Sequence, residues 1–214
     1  MARRGEHSQE EIKHMILCVA ERIVTEEGFS ALTVRKIAQL VGYTAGSFYM
    51  VYNNMADLVI HINGKTLDEI AEKMRVAKNS YQGGEVDIKV IDSNCSLSGV
   101  EALAVTYFNY ANQNFNRWSL IFDYHFPDDF VIPDWYQAKV DTVFGLVEIQ
   151  FSSFDHAYPE DKKKQAARTL WAGVHGVCVL SLSGKLNFVG VEDAEESVVL
   201  MVRNFMAGWM NRLS

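Results

Sequence analysis

The stretch LTVRKIAQLVGYTAGSFY, residues 32–49, decides how this chain is read. It holds two short helical patterns joined by a tight turn. Thr33 stands as an N-cap, and Val34, Ile37, Ala38 and Val41 recur at helical intervals. Gly42 then ends the run, where the chain needs a left-handed conformation that residues with a Cβ resist. Thr44 is expected to cap a third, shorter helix through Phe48 and Tyr49. Ala38 is small where these two helices must approach closely. Such a pair is a helix-turn-helix, whose second helix enters a DNA major groove with its first turn toward the bases. Ala45, Gly46 and Ser47 are small enough to let that helix sit deep. Thr33 and Tyr49 place hydroxyls where phosphates would pass, Arg35 can reach a guanine edge or a phosphate, and Lys36 a phosphate.

Outward from this stretch the chain reads as helices. Ser8 followed by Glu11 has the spacing of a capping box, and Ile12, Ile16, Val19 and Ile23 recur until Gly28. A fourth helix begins near Asn53–Asn54 and runs through Leu58, Ile62, Leu67, Ile70 and Met74. Residues 79–99 break the pattern: paired glycines at 83–84 precede a short period-two alternation, which predicts a long flexible loop with room for a short strand. A fifth helix resumes near Ser98 and a short sixth holds Trp118, Ile121 and Phe122. Pro133 and Pro159 open a seventh and an eighth, and the acidic run 192–196 a ninth. The expectation is an all-α fold of about nine helices, with residues 1–55 as a DNA-binding domain and 56–214 as a helical body.

Composition bounds the function. The net charge is −7, and residues 1–57 hold six basic against seven acidic side chains. The headpiece is therefore near neutral, and affinity for DNA must come from a few placed groups rather than a positive field. No uncharged apolar run is long enough to span a bilayer, and none follows the arginines at 3 and 4 as a signal peptide would need. Cys18, Cys95 and Cys178 are odd in number and widely spaced, which fits a reducing cytoplasm, with neither disulfides nor a metal site. The cluster Asp123-Tyr124-His125-Phe126-Pro127-Asp128-Asp129 has the ligand types of a metal-dependent or hydrolytic enzyme. It sits at a Pro-bounded helix end, however, where capping explains it, and no phosphate-cradling or metalloprotease motif accompanies it. An enzyme is not expected, and no cofactor is implied.

Residues 28–59, GFSALTVRKIAQLVGYTAGSFYMVYNNMADLV, resemble the DNA-binding domain of the TetR family of bacterial regulators. By that resemblance Thr33, Arg35, Thr44, Ala45, Ser47 and Tyr49 match positions that commonly touch DNA. The family usually carries a lysine where this chain has Met55. Either Asn53 or Asn54 then substitutes as a neutral phosphate donor, or the protein binds DNA less tightly. Trp171-Ala172-Gly173-Val174-His175-Gly176 resembles the WHG type of TetR-like C-terminal domain.

The resemblance implies a homodimer built from the last two large helices. Gly173, Gly176 and Leu180 of the eighth and Val198, Val202, Phe205 and Trp209 of the ninth are the candidate interface. A two-fold dimer predicts a palindromic operator in double-stranded DNA. Tyr107, Tyr110, Trp118, Phe122, Phe126, Phe144 and Trp171 are candidates to line an effector pocket, with His175 as its polar contact. The reading is a repressor released by a small hydrophobic or aromatic effector. An effector-independent structural DNA-binding protein is the alternative.

Overall fold

The computed structural model describes residues 7–82, 93–152 and 158–210. Among these it contains nine α-helices and two short 3-10 turns, and no strand. The helices are α1 (Gln9–Glu27), α2 (Val34–Val41), α3 (Ala45–Tyr49), α4 (Met55–Gln82), α5 (Ser93–Gln113), α6 (Phe115–Asp123), α7 (Asp134–Ser152), α8 (Glu160–Leu182) and α9 (Ala194–Met210). The all-α expectation holds. The stretch 79–99 is helical at both ends, since α4 reaches Gln82 and α5 starts at Ser93. Residues 83–92, where a strand was expected, lie outside the described residues.

The chain divides into two compact units. The first holds the residues up to Leu67 together with Asn114–Gln137, and the second holds Asp68–Gln113 with Ala138 onward. The headpiece unit thus extends past residue 55, because the start of α4 and the whole of α6 pack into it.

In the first unit the local signals form as read. The N–H of Ser8 donates to Glu11 Oε2 (2.6 Å) and the N–H of Glu11 to Ser8 Oγ (3.3 Å), completing the capping box. Gly42 has φ 81° and ψ 23°, and the N–H groups of Gly42 and Tyr43 both donate to the carbonyl of Ala38, turning the chain from α2 into α3. Ile16, Ala20, Ile23, Ile37, Phe48 and Tyr52 meet Leu58, Ile62 and Leu120 in one buried core.

A charged network lies beside that core. Arg117 of α6 donates to Glu21 of α1 (3.0 Å) and to Thr66 Oγ1 of α4 (3.2 Å), and Lys65 of α4 pairs with the same glutamate. The Arg117 side chain is 9 % exposed and that of Glu21 15 %. Ion pairs this dry depend on both partners being present, because desolvation penalises whichever charge is left behind.

In the second unit α9 packs against α5 and α8. Val198, Val202 and Met206 are fully buried there. Arg203 of α9 grips Glu101 of α5 with two hydrogen bonds (2.8 and 3.2 Å), and Lys139 of α7 pairs with Asp68. A Cβ on Gly173 would lie 3.4 Å from Met201 Sδ, so this glycine lets α8 and α9 approach each other.

Glu21→Ala removes the carboxylate that binds both Arg117 and Lys65. It is expected to lower stability by about 3 kcal/mol in urea unfolding. Glu21→Gln, which keeps an acceptor, is expected to cost less.

Candidate nucleic-acid interface

The five residues of α3 make barely one and a half turns, and packing rather than propensity holds them in a helix. Phe48 supplies that packing. Its ring is 1 % exposed, 5.7 Å from Tyr52 and 5.2 Å from Tyr49. With Phe48 turned inward, the rest of α3 faces out: Thr44, Ala45 and Gly46 are exposed, Ser47 is half-buried, and Tyr49 is 60 % exposed. A small-residue first turn thus stands clear of the core, with the tyrosine hydroxyl at its far end.

The capping residues differ. Thr33 takes the extended N-cap conformation and accepts from the N–H of Lys36 (3.2 Å). Thr44 has the N-cap backbone but makes no side-chain cap: its Oγ1 meets Ser47 Oγ at 3.3 Å. This corrects the capping role expected of Thr44. The hydroxyl pair leaves the first N–H groups of α3 without a side-chain acceptor at its N-terminal end, a place favourable to an anion.

Arg35 and Lys36 are placed unequally. Arg35 is exposed, with no carboxylate paired to it among the described residues. The Lys36 ammonium is instead held by both carboxylate oxygens of Glu27 at 2.5 Å. A lysine so held offers little field until Glu27 releases it.

At the start of α4 the two asparagines serve the helix. Asn54 Oδ1 accepts from the N–H of Asp57 (2.9 Å), which makes Asn54 the cap. The N–H and Nδ2 of Asn53 donate to Asp57 Oδ2 (2.9 and 3.1 Å). The amide of Asn53 is thus engaged within its own helix start, whereas Asn54, exposed, uses its Oδ1 as the cap. Met55 packs against the headpiece core. A lysine could not fill that apolar contact in the same way, and this gives the methionine a structural reason.

His7 escaped the sequence reading. Its Nδ1 meets Tyr43 Oη at 2.8 Å, fixing the residue that precedes α1 against the turn of the helix-turn-helix. A lone histidine near a chain end carries no periodic signal, and only the fold brings it to position 43.

In the second unit a small apolar cavity of about 30 Å³ lies among α4, α5, α7 and α8. Tyr107, Phe144 and Trp171 are in its wall, with Leu103, Val143 and Leu170. His175 stands behind that wall, with Nδ1 3.0 Å from Tyr107 Oη and its ring stacked on Trp171 (5.1 Å). Four expected pocket residues are placed elsewhere. Tyr110 donates to Glu69 Oε2 (2.9 Å). Trp118, Phe122 and Phe126 belong to the first unit, where Trp118 packs on Phe122 (5.5 Å) and Phe126 between Tyr124 and Phe130 (4.8 Å each). The aromatic residues of α6 and the following segment thus serve packing in the headpiece unit.

The candidate interface residues also divide. Val198 and Val202 are fully buried within their own unit. They cannot present a surface to another chain, which corrects their assignment. Phe205 and Trp209 pack on Phe151 (6.4 and 6.0 Å), and Trp209 also stacks on Tyr158 (4.5 Å). Leu180 remains 44 % exposed. Gly176 is open, with nothing within 4 Å of an added Cβ, whereas Gly173 meets Met201 of its own chain.

Of the acidic cluster at 123–129, His125 Nδ1 meets the carbonyl of Asp123 at 3.0 Å. Among the described residues, no three His, Cys, Asp or Glu side chains are grouped to hold a metal ion.

Comparison with known proteins agrees with this geometry. Residues 16–62 match the bacterial regulatory proteins of the tetR family, and residues 100–205 match the tetracyclin repressor-like C-terminal domain. The chain belongs to the TetR family. It is 34 % identical over 88 residues to the HTH-type transcriptional regulator TtgR of Pseudomonas putida, a match spanning 41 % of this chain and 40 % of that protein. A protein of unknown function from Rhodococcus sp. RHA1 shares the fold, with a TM-score of 0.70 at 16 % identity over 96 % of this chain and 98 % of that one. A tetR-family transcriptional regulator from Streptomyces coelicolor aligns with a TM-score of 0.62 at 16 % identity, over 94 % and 81 % of the two chains. No helix among the described residues is long and apolar enough to cross a membrane.

In this TetR-family headpiece the Lys36–Glu27 pair makes a measurable prediction. Glu27→Gln frees the ammonium, so DNA binding is expected to tighten. The plot of log affinity against log salt should steepen by about 0.9. An unchanged slope would mean that Lys36 reaches no phosphate.

Proposed function

We propose that this protein is a transcriptional repressor that binds a palindromic DNA operator as a homodimer and is released by a small apolar effector. The observation that carries the reading is the exposed first turn of α3, held rigidly outward by the buried Phe48. Thr44, Ala45, Gly46 and Ser47 would enter the major groove. Arg35, Tyr49, Thr33 and Asn54 would fix the headpiece on the backbone, with Arg35 also within reach of a base edge. Lys36 joins them once it leaves Glu27. Asn53 is the weakest of the proposed contacts, since its amide already serves Asp57.

The near-neutral headpiece supports the dimeric part of the reading. With few cations per subunit, one headpiece gains little from counterion release, and two joined headpieces are needed for affinity. The protein would act in the cytoplasm, where the DNA is.

The cavity in the second unit supports the effector. Its wall is apolar except for Tyr107, whose hydroxyl is bonded to His175. A space of about 30 Å³ has room for one or two waters at most, so a ligand must enlarge it. Phe144 and Trp171, edge to face at 5.1 Å, are the rings a ligand would part. Arg168 lies over Phe144 (5.5 Å) and pairs with Glu148 (3.3 Å), so it would have to shift with that ring.

Selection from random duplexes should enrich a palindrome with half-sites about one helical turn apart. Tyr49→Phe is expected to weaken binding to all sequences about equally. Arg35→Ala should cost about 1–3 kcal/mol and relax preference at one position per half-site if it reads a base. No enrichment over competitor DNA at any salt would overturn the reading. Trp171→Ala, which opens the cavity, is expected to change the response to aromatic effectors while leaving operator affinity intact. Equal loss of both would assign Trp171 to folding alone.

A further inference from the structure

One hydrogen bond ties the start of α1 to the start of α3. His7 directly precedes Ser8, the cap of α1, and Tyr43 directly precedes Thr44, where α3 opens. His7 Nδ1 lies 2.8 Å from Tyr43 Oη, and the two rings meet edge to face with centroids 6.2 Å apart. Tyr43 is fixed from the other side, because its N–H donates to the Ala38 carbonyl (2.9 Å). Tyr43 is half-buried, whereas His7 is exposed. Among the described residues the second ring nitrogen of His7, Nε2, has no partner.

Stability alone does not account for this pair. α1 already has its capping box, and a hydrogen bond between groups open to water contributes roughly 1 kcal/mol. Its place points to DNA. On the reading above the first turn of α3 enters the major groove, and Tyr43 is one residue, about 3.8 Å along the chain, from that turn. The tyrosine ring carries His7 one side-chain length further out. A major groove about 12 Å wide is filled by a helix about 10 Å across. A side chain standing beside that helix therefore meets the edge of the groove, where the phosphates run.

The chemistry of the pair suits a phosphate. Histidine is the side chain whose charge ordinarily changes between pH 5 and 8. When the imidazole is neutral, the tyrosine O–H can donate to Nδ1, and Nε2–H is left as an uncharged donor. When it is charged, Nδ1–H donates to Tyr43 Oη, and Nε2–H is left as a charged donor, the stronger kind toward a phosphate. Two titratable groups face His7 among the described residues: Tyr43 from the turn and Glu11 from α1. The Glu11 carboxyl is held below the usual carboxylate range, chiefly by its hydrogen bonds to Ser8 and to a smaller extent by His7. Glu11 therefore stays ionised through this range, and the change in charge belongs to His7. In a near-neutral headpiece whose Lys36 is already held by Glu27, one added positive charge at the edge of the groove counts.

We propose that His7 and Tyr43 form a DNA-backbone contact beside α3, in which the charged imidazole meets a phosphate and the tyrosine hydroxyl holds the imidazole in place. His7 is the contact and Tyr43 its positioning residue. The inference rests on the reading of α3 as the groove helix, and it adds a contact that strengthens as pH falls.

Fluorescence anisotropy of the full chain on the selected operator duplex, at pH 5.5 and 8.5 over a range of salt, tests it. For the wild type the plot of log affinity against log salt should be steeper at pH 5.5 by about 0.9 per subunit, with binding about threefold tighter for each subunit's contact. His7→Gln keeps an amide that can bond Tyr43 but cannot become charged. It is expected to retain the affinity at pH 8.5 and to lose the gain at pH 5.5. His7→Lys should show the steep slope at both pH values. Tyr43→Phe, which keeps the ring and removes the hydroxyl, should cut the gain by more than half. His14→Gln, at another exposed histidine of α1, should leave it whole. A gain that survives His7→Gln, or one slope at both pH values in the wild type, overturns the contact. A gain lost in His7→Gln but untouched in Tyr43→Phe overturns the positioning role. A chain that binds no duplex at either pH overturns the groove reading and this contact with it.

Discussion

Everything the headpiece can do depends on the burial of Phe48. A helix of five residues has no stability of its own, since nucleation costs more than one turn of hydrogen bonds returns. Burying one phenyl ring contributes about 2 kcal/mol, enough to fix both the existence of α3 and its rotation about its own axis. Once Phe48 points into the core made by α1, α2 and the start of α4, Ala45 and Gly46 must point out. The orientation of the reading surface is thus set from inside the protein. The Glu21–Arg117–Thr66 network adds a second restraint, linking the three longest helical segments of the same unit by directional bonds.

Electrostatics in this unit is organised by pairing rather than by accumulation. Lys36 is held by Glu27, Lys65 and Arg117 by Glu21, and Asn53 by Asp57. Lys36, Lys65 and Arg117 thus sit beside carboxylates, while Arg35 is exposed with no carboxylate paired to it among the described residues. The Glu27 carboxylate must yield before Lys36 can meet a phosphate. Exchange of one anionic partner for another changes affinity less than bringing a free lysine to DNA does. Binding of this kind favours geometry over general attraction, which suits discrimination between sequences better than loose association with any duplex.

What the sequence made legible was local. Ser8 with Glu11, Thr33, Gly42, Pro133 and Pro159 each announce an element boundary through short-range chemistry, and each appears where that chemistry puts it. What stayed hidden depends on partners distant in sequence. The bond from His7 to Tyr43, the bond from Arg117 to Glu21, and the membership of α6 in the headpiece unit have no periodic signature. The ninth helix shows the limit most clearly. It is apolar nearly all round, so its periodicity yields two stripes and no way to choose between them. Val198, Val202 and Met206 face α5 and α8, which leaves Leu200 and Met201 outside. The hydrophobicity of a stripe does not tell whether it is exposed or buried. The aromatic residues misled in the same way: seven rings suggested one pocket, but three of them are packing in the other unit.

The small size of the cavity constrains how any effector can act. A ligand entering through Phe144 and Trp171 must break their edge-to-face contact and displace Arg168 from the Phe144 ring. It gains affinity only from the apolar surface that it then covers. If the open form is the minor one without ligand, the ligand's apparent affinity is lowered by the fraction of time that form is present. Tyr107 and His175 matter here because they join α5 to α8 at the cavity's edge through a 3.0 Å hydrogen bond. A ligand that parts the rings but spares this bond leaves α5 and α8 joined at that point. One whose own polar group competes for Tyr107 removes that one bond, while the packing of α8 on α5 and α9 remains.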